Sequence, residues 1–138
     1  MLDKTSSILL IDDSMIMRQM IKTILLGACY TNIDVAGNGK QGITMVQDKI
    51  AKSETYKVIF LDWNMPEMDG MEFLKICRSE LNIDTAIIML TAVSDQKSVL
   101  AALRGGASFY LTKPVSADMV IKKLDQIDSW YETQRKKA

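Results

Sequence analysis

Residues 58–70 read VIFLDWNMPEMDG. Four apolar residues, Val58 to Leu61, run unbroken into a carboxylate, Asp62, and then into Trp63 and a stretch rich in Met, Pro and Gly. The run is too short for a helix, and a strand with one wet face would alternate polar with apolar residues. An unbroken run of this length suits a parallel strand buried on both faces. Two further runs have the same character, ILLI at 8–11 and AIIML at 86–90. Two weaker segments join them. IDVA at 33–36 alternates, as an edge strand does, and ASFYLT at 107–112 is aromatic and β-branched.

Helical spacing fills the gaps between the runs. Residues 14–27 carry Met17, Met20, Ile21, Ile24 and Leu25 and stop at Gly27, the expected C-cap. Residues 39–52 carry Ile43, Val46 and Ile50, and residues 70–80 carry Met71, Phe73, Leu74 and Cys77. A short helix is predicted over 95–104, before Gly105-Gly106. The last, over 116–135, sets Val120, Leu124, Ile127 and Tyr131 on one stripe. The methionines of these stripes read as core filler rather than ligands. Five βα units in succession imply an α/β fold, a doubly wound five-stranded parallel sheet with helices on both faces. Right-handed crossovers leave few topologies, and the flavodoxin-like order 2-1-3-4-5 is the common one. One domain is expected over 1–138, with its core at about 6–128 and the last helix running on to about 135.

Composition removes several classes of function. Lys plus Arg and Asp plus Glu both number 17, so no net field draws nucleic acid. There is no histidine, which rules out Ser-His and Cys-His catalysis and takes away the usual zinc ligand. Cys29 and Cys77 lie far apart with no CxxC and read as free thiols of a reducing compartment. The opening MLDKTSS lacks a signal peptide's apolar core, and no apolar run approaches the roughly 20 residues needed to span a bilayer. A soluble, cytoplasmic protein without membrane insertion is the expectation.

The charges that follow the strands carry the chemistry. Strand 1 ends in Asp12-Asp13, strand 3 in Asp62, strand 4 in Thr91 and strand 5 in Thr112-Lys113. All fall at the carboxyl edge of the sheet, where open α/β proteins bind ligands. In the order 2-1-3-4-5, strands 1 and 3 are neighbours, so Asp12, Asp13 and Asp62 converge. Three packed carboxylates repel one another, and either a proton or a cation must relieve them. Oxygen ligands without His or Cys favour a hard ion, and Mg²⁺ fits best. With Lys113 adding a positive charge and Thr91 a hydroxyl, the set suits a phosphoryl group, with Asp62 as nucleophile. Ala92, small and next to Thr91, leaves room for the group to enter. Taken singly, each residue has an ordinary reading. Asp62 can be a turn residue, Asp13 the cap of the helix starting near residue 14, Thr91 a strand residue and Lys113 a solvated charge. Those readings leave unexplained why all five reach one edge.

The segments ILLIDDSMIMR, VIFLDWNMPEMDGMEFL, IIMLTA and FYLTKP, in that order, resemble the receiver domain of two-component response regulators, over about residues 6 to 128. The likeness is strongest to stand-alone chemotaxis members, which have no output domain. The resemblance implies that Asp62 is the phosphoacceptor, and that Asp12 and Asp13 hold Mg²⁺ with Asp62 and the backbone carbonyl of Asn64. It implies that Thr91 and Lys113 sense the phosphoryl oxygens and that Tyr110 is the switch aromatic. In the family, Thr91 moves toward the phosphoryl group and Tyr110 turns into the vacated space, so that helix 4, strand 5 and helix 5 present a changed face. The implied partners are a histidine kinase as donor and a downstream protein, the flagellar motor switch among the candidates. A monomer is expected, with dimerisation through helices 4 and 5 open in the family. The only catalysis implied is the protein's own aspartyl phosphorylation and slow dephosphorylation, the latter influenced by Asn64 and the residues near Ser94. Lys113-Pro114 is a candidate cis peptide.

Three rival readings remain. GNGKQG at 37–42 matches G-x-G-x-x-G after a strand and before a helix, but that strand is short, half polar and at an edge, whereas a dinucleotide site needs a central one. A phosphohydrolase with an Asp nucleophile often carries Asp-x-Asp; here the second position is Asn64, which favours a stable phosphoaspartate over turnover. The third keeps the receiver but has it shuttle phosphate in a relay, or takes it from a larger response regulator or hybrid kinase.

Overall fold

The computed structural model describes residues 2–65, 68–92 and 96–137, the side chains of 135–137 excepted. In chain order the elements are β1 (Ile8–Ile11), α1 (Met15–Gly27), β2 (Ile33–Ala36), α2 (Gly39–Ala51), β3 (Val58–Asp62), α3 (Gly70–Lys75), β4 (Ala86–Ala92), α4 (Gln96–Gly105), β5 (Phe109–Lys113) and α5 (Ala117–Lys137). The strands form one sheet, parallel throughout as the alternation of elements implies, in the order β2-β1-β3-β4-β5.

The unbroken runs are buried on both faces for the reason their composition suggests. Every residue of β1 and β3 is buried, and α-helices cover both sides. On one face Leu9, Ile11, Ile59, Leu61, Ile87 and Met89 meet Ile43 and Val46 of α2, Phe73 and Leu74 of α3 and Ala102 of α4. On the other, Ile8, Leu10, Phe60, Ile88 and Leu90 meet Ile21 and Leu25 of α1 and Val120, Leu124 and Ile127 of α5. Phe60 and Phe73 are fully buried, and each such side chain contributes about 1.5–3 kcal/mol. The alternating β2 is the edge it was expected to be, with Val35 exposed. Trp130 and Tyr131, late in α5, pack against the second layer. Tyr131 fixes the helix to the sheet by donating to the Lys57 carbonyl and accepting from the Ala86 N–H.

Several local expectations are corrected. The N-cap of α1 is Ser14, whose hydroxyl accepts from the Met17 N–H at 3.2 Å, so Asp13 does not cap this helix. Gly27 is the last helical residue of α1 rather than its cap; the left-handed turn falls on Cys29 (φ 72°). The helix expected over 70–80 ends in a π-helical turn, Ile76–Glu80, closed by a Leu81 N–H to Ile76 carbonyl bond of 2.9 Å. Met20 is 39% exposed, because Ile21 and Leu25 carry the buried stripe of α1 and Met20 lies off it. Ile50 of α2 is likewise exposed. The Lys113-Pro114 peptide is cis, as anticipated. Among the described residues no helix is long and apolar enough to cross a membrane.

Candidate functional site

The site is set by strand register. Ile11 pairs with Leu61 across β1 and β3, so Asp12 and Asp62, the next residue on each strand, emerge side by side at the carboxyl edge. Beyond β3, Asp62 pairs with Leu90 on β4, placing Thr91 one step further out. Thr91 in turn pairs with Thr112, and Ala92 with Lys113. The sheet therefore delivers five chemical side chains to one place from four segments of sequence. Asp12, Asp13 and Asp62 each offer a carboxylate oxygen, and these oxygens lie within 4.8 Å of one another. Lys113 Nζ stands 3.1 Å from Asp62 Oδ1 and 3.3 Å from Asp12 Oδ2.

Burial makes this arrangement expensive. Asp12 is 1% exposed, Asp62 5% and Thr91 2%, whereas Asp13 faces solvent. Desolvation first, and repulsion from Asp12 second, raise the pKa of the Asp62 carboxyl to about 6, against the pull of Lys113. Burial disfavours the Lys113 ammonium, but Asp62 and Asp12 outweigh it and its pKa is raised. Thr91 Oγ1 makes a long 3.5 Å contact to the carbonyl of its neighbour Ala92.

The donor set fits a hard cation. Asp12 Oδ1 accepts from the Ser14 N–H at 2.8 Å, while Oδ2 is buried with no hydrogen-bond partner, its charge met only by the Lys113 ammonium 3.3 Å away. A carboxylate oxygen left in this state among two other acids is one a divalent ion would satisfy, and the oxygen-only set matches Mg²⁺.

The other sequence-predicted residues are placed as follows. Asn64 is exposed, two residues past Asp62, in a loop closed by the Gly70 N–H bonding the Trp63 carbonyl at 3.0 Å. Gly70 is required there, since a Cβ on it would fall 2.4 Å from Trp63 Cε3. Tyr110 lies on β5 and is 43% exposed, with Lys123 Nζ 5.9 Å from its ring centre. The dephosphorylation reading at Ser94 lies outside the described residues, as do Pro66 and Glu67 of the loop after Asp62. Two of the three glycines of 37–42 have packing reasons that need no nucleotide. A Cβ at Gly42 would meet Ile11 at 2.6 Å, and one at Gly39 would meet Met68 at 3.0 Å. Sequence reasoning missed Arg18, whose Nη1 donates to the Asp12 carbonyl at 2.6 Å. Its place, one turn into the helix that follows the acidic pair, gives no sign in the sequence of a backbone-carbonyl partner. It also missed Met15 and Ile16, apolar yet largely exposed at the start of α1, immediately after Asp13.

Comparison with known proteins agrees with this geometry. Residues 8–125 match the family described as response regulator receiver domain. A chemotaxis protein CheY homologue of Campylobacter jejuni is 35% identical over 121 residues, covering 87% of this chain and 90% of that protein. The solved chemotaxis protein CheY4 of Vibrio cholerae is similar at 30% identity and a TM-score of 0.77, covering 89% of this chain and 98% of its own. The receiver domain of the Francisella response regulator 1452 is similar at 32% identity and a TM-score of 0.74, covering 89% of this chain and 96% of its own.

Proposed function

The chain belongs to the response regulator receiver family, and we propose that it is a phosphorylation-driven signalling switch with Asp62 as its acceptor. The observation that carries this reading is the cluster of Asp62, Asp12, Asp13 and Lys113 at one sheet edge. Asp62, as its carboxylate, attacks the phosphorus of a phosphohistidine on a histidine kinase. The new Asp62 O–P bond forms as the P–N bond breaks, and the imidazole nitrogen leaves with the electron pair and picks up a proton. Lys113, already paired with Asp62, exchanges that carboxylate for a phosphoryl oxygen, and the Thr91 hydroxyl donates to another. Asp12, Asp13 and Asp62, with the Asn64 carbonyl, would hold Mg²⁺, which when bound neutralises the acids and the phosphoryl oxygens.

Output follows from Thr91. Once its hydroxyl is drawn to the phosphoryl group, Tyr110, exposed in the structure described here, turns inward and changes the surface of α4, β5 and α5. The protein is a signalling component of the cytoplasm rather than a turnover enzyme, and works as a monomer. The names of its Campylobacter and Vibrio relatives favour chemotaxis, with the flagellar motor switch as target. The alternative is the same receiver serving a larger regulator or hybrid kinase.

The test is incubation with Mg²⁺ and a small acyl phosphate or phosphoramidate, followed by intact mass measurement. One phosphoryl group is expected, absent without Mg²⁺ and absent in Asp62→Asn. Labelling that persists in Asp62→Asn rejects the acceptor.

A further inference from the structure

Asp12 is hydrogen-bonded within the protein at three of its four polar atoms. Its N–H donates to the Ala36 carbonyl at 3.2 Å, its Oδ1 accepts from the Ser14 N–H at 2.8 Å, and its carbonyl accepts from Arg18 Nη1 at 2.6 Å. The fourth atom, Oδ2, is buried without a hydrogen-bond partner and has the Lys113 ammonium at 3.3 Å as its ion-pair partner in the cluster. The first two contacts come from the backbone of the strand and of the turn into α1. The third comes from a side chain inside α1. The same guanidinium lies against the turn leaving β2, where a Cβ on Gly37 would be 3.5 Å from Nη1. Arg18 thus ties α1 to the β1–α1 turn, with its guanidinium near the turn that leaves β2.

The carbonyl that Arg18 holds belongs to the peptide unit joining Asp12 to Asp13. Fixing that plane fixes the direction in which each acid leaves the backbone. The geometry points to Arg18 as a positioning residue for the divalent-cation site, aiming the acidic pair through the backbone without touching the ion. This rests on the reading that the cluster binds Mg²⁺. Positioning and charge make opposite demands here. A guanidinium beside a cation site repels the ion, so a bystander arginine weakens binding and its removal tightens it. A positioning arginine strengthens binding, and its removal loosens it.

The sign of the change therefore decides. Calorimetric titration of the full chain with Mg²⁺ compares wild type with Arg18→Met, which keeps the apolar stem, and Arg18→Lys, which restores a donor. Urea unfolding in chelator checks that each variant is folded, and Arg18→Gln replaces Arg18→Met if the latter is not. The neutral variant is expected to bind Mg²⁺ about tenfold more weakly, and Arg18→Lys to recover part of the loss. An unchanged or tighter Kd in the neutral variant, or no recovery in Arg18→Lys, overturns the inference while leaving the metal site intact. Absence of Mg²⁺ binding by the wild type overturns the metal site itself, and this inference with it.

Discussion

Lys113 Nζ reaches Asp62 Oδ1 at 3.1 Å although the two residues sit on strands that do not touch. Lys113 ends β5, Asp62 ends β3, and β4 lies between them, so the lysine side chain crosses the carboxyl end of β4. Lys113 pairs in register with Ala92, a small side chain at that end. The pair is a preloaded counter-charge for a carboxylate that burial would otherwise neutralise.

That balance gives a stability prediction with a definite sign. The folded pKa of Asp62 is raised, to about 6, so the folded metal-free protein retains a proton that the unfolded chain gives up. Asp62 costs nothing below the unfolded pKa of about 3.9, and its cost grows as pH rises to about 6. Asp62→Asn removes the charge while Lys113 keeps Asp12 as its partner. In chelator, Asp62→Asn should match wild type near pH 4 and exceed it by about 1–2 kcal/mol at pH 7, after discounting for solvent screening. Urea unfolding at the two pH values checks this; a variant less stable at pH 7 than at pH 4, relative to wild type, contradicts it.

Mg²⁺ should reverse the order. Adding it stabilises the wild type by an amount that grows with the logarithm of its concentration above Kd, and Asp62→Asn should gain less. Melting temperatures measured across a Mg²⁺ series, then again after excess chelator, show whether the gain is present and reversible. Equal gains in the two proteins would mean that the ion binds elsewhere.

Trp63 is buried directly after Asp62, whereas Trp130 packs edge-on against Phe109 at the start of β5. In a Trp130→Phe background, Trp63 emission should change saturably with Mg²⁺, and Asp13→Asn should weaken the response. A flat titration in a protein that calorimetry shows to bind Mg²⁺ would place the ion away from the loop carrying Trp63.

Two glycines should behave oppositely. At Gly70 a Cβ would also fall 3.1 Å from Trp63 Cα, a backbone atom, so Gly70→Ala should cost about 1–3 kcal/mol and impair phosphorylation. At Gly27 a Cβ meets nothing within 4 Å, so Gly27→Ala should stabilise by about 0.5–1 kcal/mol. Denaturant midpoints of the two variants give the comparison directly.

The thiols separate in the same way. Burial pushes the Cys77 thiol up to about 12, while Cys29 is exposed. At pH 8 the native protein should expose one reactive thiol to a maleimide or disulfide reagent, and two in denaturant. Two fast thiols in the native state would mean that the π-helical turn Ile76–Glu80, which buries Cys77, opens far more readily than its packing implies.

The parts of the fold that could be read from sequence are those fixed by local pattern. VIFL, ILLI and AIIML were legible as doubly buried strands because an unbroken apolar run suits no wet face, and IDVA was legible as an edge strand, although its exposed residue is Val35 and its buried one Ala36. The order 2-1-3-4-5 was not a separate success. CheY, a relative, is a known example of it, so topology and family were one inference. What escaped depends on partners distant in sequence. The π-helical turn at Ile76–Glu80 carries Arg78, which donates to the carbonyls of Gly106, Ile83 and Thr85, and no local pattern announces that. Ser14, not Asp13, caps α1, since Asp13 belongs to the acidic cluster. The meeting of Asp12, Asp13, Asp62 and Lys113 was legible because strand ends in a parallel sheet share an edge. Arg18 was not, because it acts on a backbone carbonyl.

The most direct test asks which oxygen carries the phosphoryl group. Borohydride reduces an acyl phosphate to the alcohol, so reducing the phosphorylated protein and mapping its peptides by mass identifies the acceptor. Phosphorylation at Asp62 predicts one reduced side chain, in the peptide containing VIFLDWNM, and none in wild type kept without Mg²⁺ or donor. Reduction at Asp12 or Asp13 instead, or a labelled protein with no reducible acyl phosphate, would contradict it.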